Sequence, residues 1–117
     1  MTLILTNEEI ESLFTLDECF AVLEPALTDL GNGRAVNMPR QDLLVPGGLA
    51  ESYHGLKTSC ASLPRAGVTT MRVTSDVLTW PVVGGRQRRV KVPLAQGNKY
   101  VGLVFVFSIA TGELLAI

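Results

Sequence analysis

Two rhythms divide the chain. In its first third, Leu16, Phe20, Leu23, Leu27 and Leu30 recur at helical spacing, so one stripe of a helix is expected to face a core. Beyond Arg40 the pattern breaks into short apolar and β-branched runs separated by Gly and Pro, at residues 42–45, 53–63, 68–74, 88–92, 99–108 and 114–117. Helices first and strands afterwards predict an α+β fold, with two N-terminal helices packed on a mainly antiparallel sheet.

The ends of the helices are marked in the sequence. Thr6 with Glu9, and Thr15 with Glu18, place a hydroxyl and a carboxylate three residues apart, which can cap two helices reciprocally. A short helix to about Phe14 and a longer one after it are predicted, and a short strand is expected at residues 3–5. Pro25 removes a backbone bond inside the second helix, so a bend is expected near residues 19–22. Gly31-Asn32-Gly33 then ends it, because these residues tolerate positive φ. In the second half, residues 100–107 are apolar at nearly every position, the mark of a central strand covered on both faces. Residues 108–113 read as a hairpin connection, with Gly112 in the left-handed position. The chain stops within an apolar strand at Leu114, Leu115, Ala116 and Ile117, which suggests a domain that belongs to a larger design.

Composition narrows the function classes. A chain of 117 residues supports one core, and residues 1–117 are expected to form a single domain. With 47% hydrophobic and 18% charged residues it lies in the globular range. A net charge of -1 gives no overall field for nucleic acid or for an anionic membrane. Cys19 and Cys60 fit no metal spacing and read as buried, reduced thiols. The N-terminus lacks the basic and long apolar regions of a secretion signal, and no apolar run approaches the roughly 20 residues of a membrane helix, so a soluble cytoplasmic protein is expected.

Several candidate motifs carry little chemistry. Arg86 and Arg88 alternate with Arg89 and Lys91 on opposite faces after Gly84-Gly85; a phosphate grip and a charged hairpin or edge strand both fit, and the second needs no basic excess elsewhere. His54 is the only histidine and has no ligand set around it, so no metal is expected. Ser52, His54 and Asp76 form a triad only on paper, without a nucleophile elbow. Gly31-Asn32-Gly33 follows a helix, whereas a dinucleotide loop follows a strand. Arg40 is more informative, since it follows Pro39 at the entry to the sheet and can offer a carboxylate two parallel bonds. Arg72 lies in the low-charge strand 68–74; if buried there, it needs either a carboxylate such as Asp76 or an anionic ligand.

Residues 33–40 (Gly-Arg-Ala-Val-Asn-Met-Pro-Arg), the strand from Ala66-Gly67-Val68 to Asp76, and residues 101–117 with Thr111-Gly112-Glu113 together resemble the N-terminal region of the ornithine cyclodeaminase and mu-crystallin family. The resemblance implies a substrate-binding and dimerisation domain, with a homodimer as its assembled form. It also implies enzymes acting on amino or imino acids with NAD or NADP bound by a second, Rossmann domain. Arg40 matches the family arginine that holds the substrate carboxylate. The family commonly has a lysine where this chain offers Met71 and Arg72, and Arg72 is the second substrate-binding candidate, though an arginine serves poorly as a proton-transferring base. The family's catalytic aspartate and Gly-rich cofactor loop fall beyond the point matching Ile117, so no catalytic residue and no cofactor-binding residue is assigned in this chain. The expected function is binding of a small amino or keto acid, without catalysis by these residues alone; a non-catalytic binding or assembly module that kept the fold is the alternative.

Overall fold

The computed structural model describes residues 1–117. Helix α1 spans Asn7–Leu13 and α2 spans Leu16–Gly31. The strands are β1 (Val36–Asn37), β2 (Gln41–Pro46), β3 (Ser52–Leu63), β4 (Val68–Thr79), β5 (Val82–Val83), β6 (Arg86–Gln87), β7 (Val90–Val92), β8 (Val101–Ser108) and β9 (Leu114–Ala116). The principal sheet runs β1-β3-β4-β8-β9, with β2 also on β3 and β7 also on β4, while β5 and β6 form a separate hairpin. The described pairings between these strands are antiparallel, so the α+β expectation of two helices and a mainly antiparallel sheet holds. Contacts divide the chain into two units, one of Met1–Pro39, Cys60–Met71 and Val104–Ile117, the other of Arg40–Ser59 and Arg72–Leu103.

In the first unit, both helices start where the sequence places their caps. Thr6 accepts from the Glu9 amide and Thr15 from the Glu18 amide, while each glutamate accepts from its cap backbone at 2.7 and 2.8 Å. These bonds hold both glutamate carboxyls below their ordinary range. Helix α2 runs through Pro25 without interruption. Its inward side differs from the predicted one: Leu16, Phe20, Leu23, Leu27 and Leu30 are all exposed, whereas Asp29 is buried and Cys19 and Ala26 are half-buried. Asp29 closes the turn after the helix, because its carboxylate accepts from Arg34 Nε at 2.9 Å and its carbonyl from the Arg34 and Ala35 amides. The Arg34 bond, opposed by partial desolvation and assisted by Arg65, keeps the Asp29 carboxyl below its usual range.

The expected N-terminal strand is an isolated parallel bridge between Leu3 and Ala116, with Leu3 and Leu5 amides donating to the Leu115 and Ile117 carbonyls. The turn from β8 to β9 has Gly112 at φ 74°, the left-handed conformation expected there. Strand β8 is flanked by β4 and β9, but Val101, Leu103 and Val104 are exposed, so it is not covered on both faces. Hydrophobic pattern records which residues can be buried; it does not supply the layer that buries them. Both cysteines are free thiols and half-buried rather than fully buried.

In the second unit, β2 pairs with β3 in a register that sets Asp42 opposite Lys57 and Leu44 opposite Gly55. Leu78 of β4 is fully buried. A methyl group at Gly55 would lie 3.0 Å from Leu78 Cδ1 and 3.1 Å from Leu44 Cδ2, so these two leucines close over the glycine. Strand β7 pairs with the end of β4, setting Lys91 opposite Leu78. Gly84-Gly85 turns the β5–β6 hairpin, which holds Arg86, whereas Arg88 and Arg89 follow it and Lys91 lies in β7.

Candidate functional site

Side chains on a strand alternate between faces, so Arg72, Thr74, Asp76 and Leu78 share one face of β4. The β4–β7 register brings Lys91 to that face beside Leu78, and Arg89 follows by the same period of two. Of these, Arg72, Thr74, Arg89 and Lys91 meet Arg40, at the entry to β2, and Lys57 of β3 around an open cleft of about 220 Å³. Thr58 and Ser59 complete its lining. The cleft lies wholly within the second unit.

Two carboxylates organise the cations. Asp42 receives Arg40 in a two-pronged contact, Nε to Oδ1 at 2.7 Å and the second nitrogen to Oδ2 at 3.0 Å, with Arg89 at 3.9 Å from Oδ2. Asp76 pairs with Lys57 through Oδ2 and with Lys91 through Oδ1 at 3.0 Å. Burial pushes the Asp76 carboxyl up, but the Lys57 and Lys91 contacts outweigh it and leave the group below its ordinary range. The Lys57–Asp76 pair is buried, with side chains 6% and 1% exposed, whereas Lys91 is partly in solvent and also lies 5.7 Å from the centre of the Tyr100 ring. Strands β2, β3, β4 and β7 thus carry Asp42, Lys57, Asp76 and Lys91, charges of alternating sign.

Arg40 and Arg72, the two residues singled out in the sequence, line the same cleft. Arg72 is exposed rather than buried, and within its unit no carboxylate lies within ion-pairing distance of it; Asp76 is taken by the two lysines. Asp76, four residues on along the same face of β4, is the position that is covered. Sequence reasoning missed Lys57, and it left Arg89 and Lys91 between a phosphate grip and a charged hairpin or edge strand. The alternation that placed Arg89 and Lys91 on a common face was the available signal; the missing part was which strand they pair with.

The other candidates do not assemble. Ser52 Oγ donates to the Leu49 carbonyl at 2.7 Å, His54 Nε2 contacts Ser75 Oγ at 2.9 Å, and Asp76 is held by lysines, so Ser52, His54 and Asp76 form no triad. No group of three or more metal-ligating side chains is present. The glycine pairs lie after α2, between β2 and β3, and in the β5–β6 hairpin, and none leads from a strand into a helix, so these residues do not fit a dinucleotide phosphate. No helix is long and apolar enough to cross a membrane.

No family model matches this chain, and no curated protein sequence matches it. Among solved structures, it is similar to a probable ornithine cyclodeaminase from Bordetella pertussis Tohama I, at a TM-score of 0.62 and 23% sequence identity. The match covers 99% of this chain and 29% of that one. The chain therefore has an ornithine cyclodeaminase-like fold over a span that is 29% of that protein's length.

Proposed function

We propose that this chain is the substrate-binding and dimerisation portion of a protein of the ornithine cyclodeaminase and mu-crystallin type, and that its cleft holds the carboxylate of a small amino or keto acid through Arg40 and Arg72. The observation that carries this reading is the charge of the cleft: five cations face two carboxylates, and Arg72 has no carboxylate partner in its unit. A guanidinium offers a carboxylate two parallel bonds, and the neighbouring hydroxyls of Ser59 and Thr74, on the same faces of β3 and β4 as Lys57 and Arg72, supply further polar contacts. Hydride transfer with NAD or NADP requires a nucleotide-binding part that these residues do not form, so the chain by itself binds without turning over substrate. The similarity to a probable ornithine cyclodeaminase supports the fold side of this reading, and the cleft supports the ligand side.

Dimerisation is the second component. The chain exposes 8879 Å², against roughly 6,200 Å² expected for a globular chain of this mass, and much of the exposed apolar surface lies on α2 and β8. Obligate interfaces bury surface on this scale. An assembly module without ligand binding is the competing function, favoured by the same exposed faces. Calorimetry with L-alanine and pyruvate separates the two. Carboxylate binding that Arg40→Ala abolishes supports the proposed site; no heat with any small acid leaves assembly alone. NAD(P)H oxidation by the purified chain with an amino or keto acid would refute the non-catalytic assignment.

A further inference from the structure

Resting on the carboxylate-binding reading, we infer that the ligand of this cleft carries two negative charges. The argument is one of charge count and placement. The five cations lining the cleft, opposed by Asp42 and Asp76, leave three positive charges uncompensated. They are not gathered at one point. Asp42 holds Arg40 and Arg89, Asp76 holds Lys57 and Lys91, and Arg72 stands apart from both carboxylates. Each carboxylate therefore retains a net positive charge around it, and Arg72 adds a third. A single carboxylate of a neutral amino acid or a monocarboxylic keto acid neutralises one of the three. A second anionic group neutralises another, at a cleft where partial desolvation makes the attraction stronger than in bulk water.

Size sets the other limit. About 220 Å³ is below the 300–1,000 Å³ typical of drug-sized ligands and matches a short-chain diacid. The arginines supply planar forks that match carboxylate and phosphate alike, and the lysines act as point charges for either. The ligand class is thus a small dianion, with a dicarboxylate and a phosphate group as its two chemical sources.

Titration of the full chain by calorimetry at constant ionic strength, with glutarate, butyrate and inorganic phosphate as probes, decides the matter. Glutarate or phosphate is expected to bind at least tenfold more tightly than butyrate, and whichever does so identifies the source. The advantage is expected to shrink severalfold on raising salt from 50 to 300 mM, and to collapse toward a ratio of one in Arg89→Gln. Equal affinity for butyrate and both dianions overturns the inference while leaving the carboxylate site standing. Failure of all three to bind overturns both. An advantage that persists undiminished in Arg89→Gln also overturns it, since the second charge would then be read elsewhere. The wild-type ratio is decisive even where a variant is unstable.

Discussion

Replacing Asp76 by asparagine removes the charge that keeps Lys57 tolerable inside the sheet. Lys57 is 6% exposed at its side chain, and its ion pair is with Asp76, so the substitution leaves an ammonium buried without a counter-charge. Removing one member of a buried pair typically costs about 3–5 kcal/mol, because the survivor retains its desolvation penalty and loses its attraction. Against a total stability of roughly 5–15 kcal/mol for a small domain, that is a large fraction. The reverse change is milder. In Lys57→Met, Asp76 keeps Lys91 at 3.0 Å, and an uncharged chain of similar length fills the space, so about 1–2 kcal/mol is expected. The double variant Lys57→Met with Asp76→Leu leaves no buried charge and is expected to be more stable than Asp76→Asn alone. Urea and thermal unfolding followed by circular dichroism read all three, and Asp76→Asn should lower the melting temperature by about 10 °C or more. A cost below about 1 kcal/mol for Asp76→Asn, or a Lys57→Met variant less stable than Asp76→Asn, refutes the assignment of Asp76 as the counter-charge of Lys57.

The pH dependence follows from the same carboxylates. Glu9, Glu18, Asp29 and Asp76 all titrate below their ordinary values of 4.5 and 3.8 in the folded chain. Their contribution is complete above the unfolded values and is lost as pH falls through the folded ones. Unfolding free energy is thus expected to be level with respect to these groups from neutrality to about pH 5 and to fall below that, with a shallower acid limb in Asp76→Asn. Leu78→Ala empties the position beneath Gly55 and should cost about 2–5 kcal/mol in chemical denaturation, the larger values applying if Leu44 does not move into the gap. Thr15→Ala removes a side-chain cap from α2 and should cost about 0.5–2 kcal/mol, measurable by the same unfolding curves and by lower helical ellipticity.

Local chemistry was the most legible part of the sequence. A capping box needs only Thr15 and Glu18, three residues apart, and both helices begin as those spacings predict. Strand positions were legible in part: branched and apolar runs bounded by Gly and Pro locate β2, β3, β7, β8 and β9 to within two residues at either end, whereas β4 runs on to Thr79 and the two-residue β1, β5 and β6 were not expected. Burial was not. The leucine stripe of α2 has helical spacing yet stays exposed, and the buried Asp29 lies off it, held by an arginine five residues on and by the chain's own turn. The cleft was half legible. Arg40 and Arg72 stand out by local context, but Lys57 lies 19 residues from Asp76, and their pairing exists only once β3 lies beside β4. Arg89 and Lys91 needed the β4–β7 register before their shared face had a destination.

The row of alternating charges across β2, β3, β4 and β7 also acts on the folding chain itself. Strands rich in valine, threonine and leucine can pair with almost equal comfort when slid by two residues, since such a slip keeps every side chain on its own face. Here a two-residue slip carries Asp76 about 7 Å along the strand, well outside ion-pairing reach of Lys57. The displaced ammonium then faces hydroxyls or methyl groups in a place with little water. The pair that adds little to the depth of the native minimum thereby raises the neighbouring minima, and the sheet acquires a single alignment.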